Sequence, residues 1–231
     1  TETTAELVGD HYILNGEKIF ITNGGEADTY VIFAVTTPGI GTKGISAFIV
    51  EKGWEGFTFG DHYDKMGIRS SATCQLLFSD VKIPKENLLG KEGQGFKIAM
   101  ATLDGGRIGI ASQALGIAQG AYEAAVEYAK EREQFGAPIA QLQAIQFKIA
   151  EMAIKLKNMK NMLYEAAWDA DNNDGKFDPG AAAMCKYYCA NAAFSVVDDG
   201  MQVLAGVAVA GDGQRTGALF HIVREQNVSV H

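Results

Sequence analysis

The sequence lacks the features that mark membrane, secreted and nucleic-acid-binding proteins. No apolar run comes near the roughly 18 uninterrupted residues of a membrane-spanning helix. The first residues, TETTAELVGD, have neither the basic nor the apolar region of a signal peptide. With 20 basic against 28 acidic residues the formal net charge is -8, which disfavours binding to nucleic-acid phosphates. We therefore expect a soluble, intracellular protein with no nucleic-acid or membrane partner. The cytoplasm is the preferred location, and the mitochondrial matrix after processing is the alternative.

Cysteine and histidine are also scarce. Cys74, Cys185 and Cys189 form an odd set without a C-x-x-C pair, which argues against a disulfide framework. Cys185 and Cys189 share a helical face, but no third thiol or histidine stands near them in sequence. We predict no metal site and a core position for these two thiols.

The first part of the chain has the two-residue period of β-strands. About six short segments rich in β-branched and aromatic residues are separated by Gly, Pro, Asn or Asp turns, and Pro84 ends the series. Because no helical period interrupts them for long, we predict an antiparallel sheet that forms a small barrel or sandwich.

From Phe96 onward the period is helical. One long helix is predicted to end near Gly136, in spite of its internal glycines, and a second follows Pro138. A third begins near Asp178 and Pro179, an N-cap followed by a first-turn proline. Apolar residues of the second helix advance by three and four, which is typical of a helix packed lengthwise against others.

These two patterns predict an α+β protein, with a β-domain over residues 1–84 and an antiparallel helical bundle over residues 85–231. A bundle normally has four helices, and only three long ones are predicted. The fourth would come from the short tail, from a region not present, or from another subunit.

Two polar segments resemble ligand-binding loops but lack essential residues. In DADNNDGKFD, a calcium loop with Gly175 at its sixth position would have Ala170 and Ala181 at its first and twelfth, where carboxylates are needed. We favour a connector between helices there. GDGQRTG, which begins at Gly211, has no Gly-Lys-Ser/Thr and is not a P-loop.

Three further segments leave structural and functional interpretations open. GEKIFITNGG, residues 16–25, is a strand running into a turn, which does not explain the ring and hydroxyl at its end. In KEREQFG, Arg132 could neutralise a phosphate, although an ordinary charged helix end is the simpler interpretation. In LDGGR, Asp104 and Arg107 are one helical turn apart and could form an intrahelical ion pair.

Taken in order, five segments resemble the acyl-CoA dehydrogenase flavoprotein family, closest to its short-chain or butyryl-CoA members. The segments are HYILNGEKIFITNGGEADTYVIFAV, GISAFIVEKGWEGFTFG, KMGIRSSATCQLLFSDVKIPKENLLGKEGQGFKIAM, LDGGRIGIASQALGIAQGAYEAAVEYAKEREQFGAPIAQLQAIQFKIAEMA and GMQVLAG. The resemblance implies the β-domain and the C-terminal helical domain of that family, without its N-terminal helical domain.

The resemblance implies FAD as the cofactor and assigns residues to it. The ring of Phe20 would cover the flavin, and the hydroxyl of Thr22 would bond near flavin N5. Arg132 and its neighbours would bind the pyrophosphate and adenosine end of an FAD held mainly by a neighbouring subunit. The full set is Phe20, Ile21, Thr22, Arg132, Gln134, Phe135, Gln143, Gln202 and Gly206.

The resemblance also implies α,β-dehydrogenation of a short-chain acyl-CoA to a trans-2-enoyl-CoA, with Asp104 and Arg107 facing the acyl-CoA. The catalytic residue is left unassigned. In most relatives the base is a Glu that follows residues similar to Arg224 and Glu225, so we expect it beyond His231. Some relatives carry it just before the residue equivalent to Arg107, where this chain has Gly106. We therefore expect the chain alone to lack a base.

The implied partners are an electron-transfer flavoprotein as electron acceptor and further copies of the chain in a dimer of dimers. Two alternatives stay open. An acyl-CoA oxidase would share the architecture but pass its electrons to oxygen. A non-catalytic helical oligomer would keep the bundle without the chemistry, and the missing base and the altered glycine loop at Ala205 and Gly206 favour it.

Overall fold

The computed structural model describes residues 2–65 and 68–210 and divides into two compact units. One unit extends to Thr102 and the other begins at Leu103. The predicted domain boundary after residue 84 lies within the first unit and stays a prediction. Arg224, Glu225 and the GDGQRTG segment lie outside the described residues.

Seven strands form the sheet of the first unit. The strands are β1 (Thr4–Val8), β2 (His11–Thr22), β3 (Thr29–Val35), β4 (Ile45–Glu51), β5 (Phe57–His62), β6 (Thr73–Pro84) and β7 (Leu88–Leu89). Short 3₁₀-helices occupy Gly41–Gly44 and Lys85–Asn87. The predicted strands are thus confirmed, but the sheet continues beyond Pro84, because Leu88 and Leu89 pair with β4.

The strand order is β5-β6-β2-β1-β3-β4-β7, and it corrects the predicted topology in two ways. The sheet is mixed, since β1 and β3 run parallel and meet at Thr4 and Val35. The reason is that β3 lies on the side of β1 opposite β2, and the two reversals of direction, from β1 to β2 and from β2 to β3, make β3 run parallel to β1. Within the described residues β5 and β7 each pair on one side only, so the sheet is open and not a closed barrel.

The core of the first unit collects the inward residues of these strands. Tyr12, Leu14, Phe48, Leu76 and Ile83 are fully buried. The Tyr12 hydroxyl donates a 2.5 Å hydrogen bond to Glu92, just before the first long helix. Burial, and after it the Glu92 carboxylate, raise the pKa of Tyr12 from 10.0 to about 12.

The helices confirm the predicted helical part, with corrected ends. The elements are α1 (Gly95–Glu131), β8 (Glu133–Gln134), β9 (Ala137–Pro138), a 3₁₀-helix (Ile139–Gln141), α2 (Gln143–Asp171), α3 (Pro179–Leu204) and α4 (Gly206–Ala210). The carboxylate of Asp178 caps α3 by accepting a 2.7 Å hydrogen bond from the Ala181 amide. Asp178 belongs to a helix connector, as the missing calcium ligands predicted. No helix within residues 2–65 and 68–210 has the length and apolarity to cross a membrane.

The helices of the second unit pack through one apolar seam. Buried members of the α2 seam are Met152, Leu156, Met159 and Leu163. They meet Cys185 and Cys189 of α3, which are buried as predicted, and a row of buried alanines on α1. Burial raises the pKa of both thiols, that of Cys189 to about 12. Alanines on α1 allow a close approach of the three helices.

Candidate functional site

The end of β2 carries an exposed aromatic ring in an unusual backbone conformation. The pairing of β2 with β6 shifts register between Lys18 and Ile21, which is a β-bulge. Phe20 lies in this bulge with φ 56 and a 65% exposed side chain. Bulky residues seldom adopt positive φ, and such strain is often found at functional sites. Ile21 and Thr22 then rejoin the ladder opposite Cys74 and Thr73.

The Asn-Gly-Gly turn that follows β2 requires its small residues. Asn23 has φ 58, and its amide donates to the Ala72 carbonyl at 2.8 Å. A Cβ on Gly24 would lie 2.5 Å from Cys74 Sγ, closer than any real contact. Gly25 has φ 82 and donates its amide to the Tyr30 hydroxyl at 3.0 Å. The turn therefore holds the chain against β6 and leaves Phe20 and Thr22 at the exposed strand end.

The β2 end can serve as a platform for a flat, polar-edged ligand. Thr22 is exposed and lines a groove of about 400 Å³, which also contains Ile21 and Lys18. Burial lowers the pKa of Lys18. A side-chain hydroxyl on a paired strand is held rigidly, so it can donate to one atom of a ligand.

The KEREQFG segment contains the predicted helix end, but the helix ends before Gly136 and the segment continues into a small hairpin that was not predicted. Helix α1 ends at Glu131, and β8 pairs with β9. The two turn residues, Phe135 and Gly136, have φ 57 and 82, as a type I′ turn requires. This turn leaves the Phe135 side chain 93% exposed at the hairpin tip. An exposed ring of this kind is available for stacking on a ligand.

Arg132 joins α1 to this hairpin with its side chain exposed. Its amide donates to the Tyr128 carbonyl at 2.8 Å, and its own carbonyl accepts from the Ile139 amide at 2.8 Å. Gln134 is also exposed, and its side-chain amide donates to the Glu133 carbonyl at 2.8 Å. The fixed backbone therefore carries exposed polar side chains that can bind an anion such as a phosphate.

The other predicted cofactor residues of the second unit lie at the same end of the helices. Gln143 is the first residue of α2, Gln202 is in the last turn of α3, and Gly206 begins α4; all three are exposed. A 2.8 Å ion pair between Lys148 and Asp199 places the start of α2 beside the end of α3. The amide of Ile139, which precedes α2, donates a hydrogen bond to the carbonyl of Arg132, the residue directly after α1.

Asp104 and Arg107 form an ion pair on α1, as one of the two open interpretations predicted. The Asp104 side chain is 18% exposed and that of Arg107 39% exposed. Gly106, between them, is exposed, and a Cβ there would meet nothing within 4 Å. At the ~1.5 Å rise of an α-helix, Arg107 and Arg132 are about 37 Å apart. The structure thus separates the predicted acyl-CoA residues from the predicted pyrophosphate residues.

Sequence reasoning missed Tyr63. Its ring packs on Phe20 with centroids 4.8 Å apart. The contact reaches across β6, and no local sequence pattern indicates it.

Family comparisons cover most of the chain. Residues 1–81 match the acyl-CoA dehydrogenase middle domain, and residues 93–227 match the acyl-CoA dehydrogenase C-terminal domain. The chain is 49% identical over 211 residues to the short-chain specific acyl-CoA dehydrogenase of Clostridium acetobutylicum, covering 91% of this chain and 55% of that protein. It spans about half the length of the curated relatives that it matches.

Solved structures are similar to the chain over nearly its whole length. Butyryl-CoA dehydrogenase from Megasphaera elsdenii is 45% identical with a TM-score of 0.92, and the match covers 99% of this chain and 58% of that one. A chain from work on the electron transferring flavoprotein of Acidaminococcus fermentans is 53% identical with a TM-score of 0.92, covering 99% of this chain and 59% of that one.

Proposed function

Since this chain belongs to the acyl-CoA dehydrogenase family, we propose that it serves the FAD-dependent α,β-dehydrogenation of a short-chain acyl-CoA to a trans-2-enoyl-CoA. The observation that carries this proposal is the β2 end, where an exposed ring at Phe20 stands two residues before the exposed hydroxyl of Thr22. The roughly 50% identity of the chain to short-chain specific acyl-CoA dehydrogenases supports the substrate class.

The residues present fit FAD by their chemistry. Phe20 offers an apolar face to a flavin ring, and Thr22 offers a hydroxyl donor on a rigid strand. Ile21 adds partly buried apolar surface between them. The chemistry that FAD would supply here is acceptance of a hydride from the substrate β-carbon. The Thr22 hydroxyl would orient the flavin by donating a hydrogen bond near N5, and the Phe20 ring would exclude water from that side.

A second group of residues fits the pyrophosphate and adenosine end of FAD. Arg132 and Gln134 supply exposed donors, and Phe135 supplies a ring for adenine. Gln143, Gln202 and Gly206 complete the group. By the family resemblance, this group would hold the FAD of a neighbouring subunit. A complete site would then require an oligomer, which we propose to be a dimer of dimers.

The acyl-CoA would meet α1 near Asp104 and Arg107. The ion pair orients the Arg107 guanidinium, which can hold a nearby carboxylate in place. Removal of the weakly acidic α-proton needs such a carboxylate, and the thioester oxygen needs donors that stabilise the developing negative charge. Gly106 supplies no carboxylate, so we propose that the chain alone turns over weakly.

We further propose an electron-transfer flavoprotein as the acceptor of the electrons. Similarity to a chain from a study of an electron transferring flavoprotein supports this partner. An oxidase would produce peroxide under air, whereas the proposed dehydrogenase would not.

A visible absorption spectrum of the purified chain, recorded anaerobically before and after addition of butyryl-CoA, tests the proposal. We expect flavin bands that persist, because the proposed site would bind the cofactor while Gly106 supplies no carboxylate to act as the base. Bands that bleach would overturn the proposed lack of a base. Absence of flavin bands after incubation with FAD would overturn the proposed function and favour a non-catalytic oligomer.

A further inference from the structure

Tyr63 contacts Phe20 although their strands are not neighbours in the sheet. The two ring centroids are 4.8 Å apart with an interplanar angle of 38°. Ile21 of β2 and His62 of β5 both pair with Cys74 of β6, one from each side. Strands that share a neighbour lie about 9.5 Å apart. Both rings must therefore lean over β6 to meet.

Two breaks in strand register direct these rings toward each other. The pairing of β2 with β6 shifts before Ile21, and the pairing of β5 with β6 shifts before His62. A bulge bends its strand and changes the direction of its side chains. The two bulges lie at the same level of β6, since both end opposite Cys74. The two bulges therefore bring Phe20 and Tyr63 to the same level of β6.

The backbone of Tyr63 is tied to the β6 residue that pairs with Thr22. The Tyr63 amide donates to the Thr73 carbonyl at 2.9 Å, and Thr73 is opposite Thr22. Lys65 closes the following loop by donating to Thr73 Oγ1 at 2.9 Å and to the Ser71 carbonyl at 2.6 Å. Tyr63 is thus fixed relative to the strand end on which the flavin-facing residues lie.

We propose that Tyr63 is a positioning residue, which holds Phe20 in its left-handed conformation so that the exposed Phe20 ring is presented to the flavin. This inference rests on the proposed function, because the flavin is the group that Phe20 would meet. Tyr63 acts through Phe20. Phe20 has φ 56, a conformation that a bulky side chain keeps only when its surroundings hold it.

A double-mutant cycle in the full 231-residue chain tests this inference. FAD is titrated into the unsubstituted chain, Y63L, Y63F, F20L and the Y63L/F20L pair, with the fluorescence of free FAD as the signal. We expect Y63L to weaken FAD binding by about 2- to 12-fold, the range of an aromatic pair. Y63F keeps the ring and should stay within about twofold. In the F20L background, Y63L should have no further effect, and an undiminished loss there would overturn the proposal.

A measurement without FAD separates this inference from the proposed function. The amide-to-Hα coupling constant of Phe20, measured by NMR, reports its φ, and we expect Y63L but not Y63F to move it toward the value of an extended residue. An unchanged coupling in Y63L would overturn the role of Tyr63, whether or not FAD binds. Failure of the unsubstituted chain to bind FAD would instead overturn the proposed function.

Discussion

Lys148 of α2 donates a 2.8 Å hydrogen bond to Asp199 of α3, and the Asp199 side chain is only 15% exposed. Lys155 approaches the other carboxylate oxygen at 3.4 Å and also donates to Ser195 at 2.7 Å. One carboxylate thus joins two turns of α2 to α3. Because these contacts bracket the start of α2 and the end of α3, they fix the end of the bundle at which Gln143 and Gln202 lie.

Replacing this carboxylate should destabilise the helical unit. We expect D199N to lower the free energy of unfolding by about 1.5–3 kcal/mol, because a hydrogen bond to a charged group contributes about that much to stability. Urea denaturation measures the change. D198N is the matched control, since Asp198 is the exposed neighbour and its substitution should stay within about 0.5 kcal/mol. Equal effects of the two substitutions would show that the ion pair does not brace the helices.

Tyr12 should make the stability of the chain fall at alkaline pH. Folding raises the Tyr12 pKa from 10.0 to about 12, so the unfolded chain loses the phenolic proton first as pH rises. The stabilisation is complete below pH 10.0 and decreases by about 2–3 kcal/mol toward pH 12. We expect Y12F to remove this decrease, as measured by urea denaturation at several pH values. A decrease of the same size in Y12F would assign it to other groups.

Two glycine substitutions should have opposite effects on stability. G24A forces a Cβ to within 2.5 Å of Cys74 Sγ and should destabilise by about 1–3 kcal/mol. G106A puts its Cβ into open space on α1 and should stabilise by about 0.5–1 kcal/mol, since alanine favours helix. Thermal unfolding followed by circular dichroism compares them. A stable G24A variant would contradict the close packing of the turn on β6.

Local signals made the helices predictable, whereas the sheet pairing was not. Asp178 and Pro179 mark the start of α3 by capping chemistry that acts within one turn. The parallel contact of Thr4 with Val35 joins distant parts of the chain, and no local pattern encodes it. The hairpin at Phe135 escaped prediction because its I′ turn begins with phenylalanine, where Asn or Asp is usual.

The candidate site could likewise be predicted only in part, because local sequence signals do not encode contacts between distant parts of the chain. Phe20 and Thr22 lie at an exposed strand end, which the alternating pattern and the glycine turn indicate directly. Their roles as flavin contacts come from family resemblance and stay a proposal. Tyr63 reaches Phe20 across β6, so only the folded sheet reveals it.

Phe135 should matter for FAD binding and not for folding. Its side chain is 93% exposed, so F135A should change the free energy of unfolding by no more than about 0.5 kcal/mol. Loss of a stacked base costs about 1–3 kcal/mol. We therefore expect FAD binding to the oligomer to weaken by about 5- to 150-fold. F135W should retain binding, and unchanged affinity in F135A would exclude the hairpin tip from the adenosine site.

Gly106 offers a direct test of the proposed lack of a base. A Cβ at this position meets nothing within 4 Å, and the helix continues on both sides, so a side chain can start here without a clash. In G106E a carboxylate would stand one residue before Arg107, which is already oriented by Asp104. General-base catalysis contributes about 10²- to 10⁴-fold, and we expect dye reduction with butyryl-CoA to rise within that range. G106Q has the same shape without the charge and should leave turnover low. If both variants stay equally slow while FAD is bound, the α1 position cannot supply the base, and the carboxylate that takes the α-proton must approach the substrate from elsewhere.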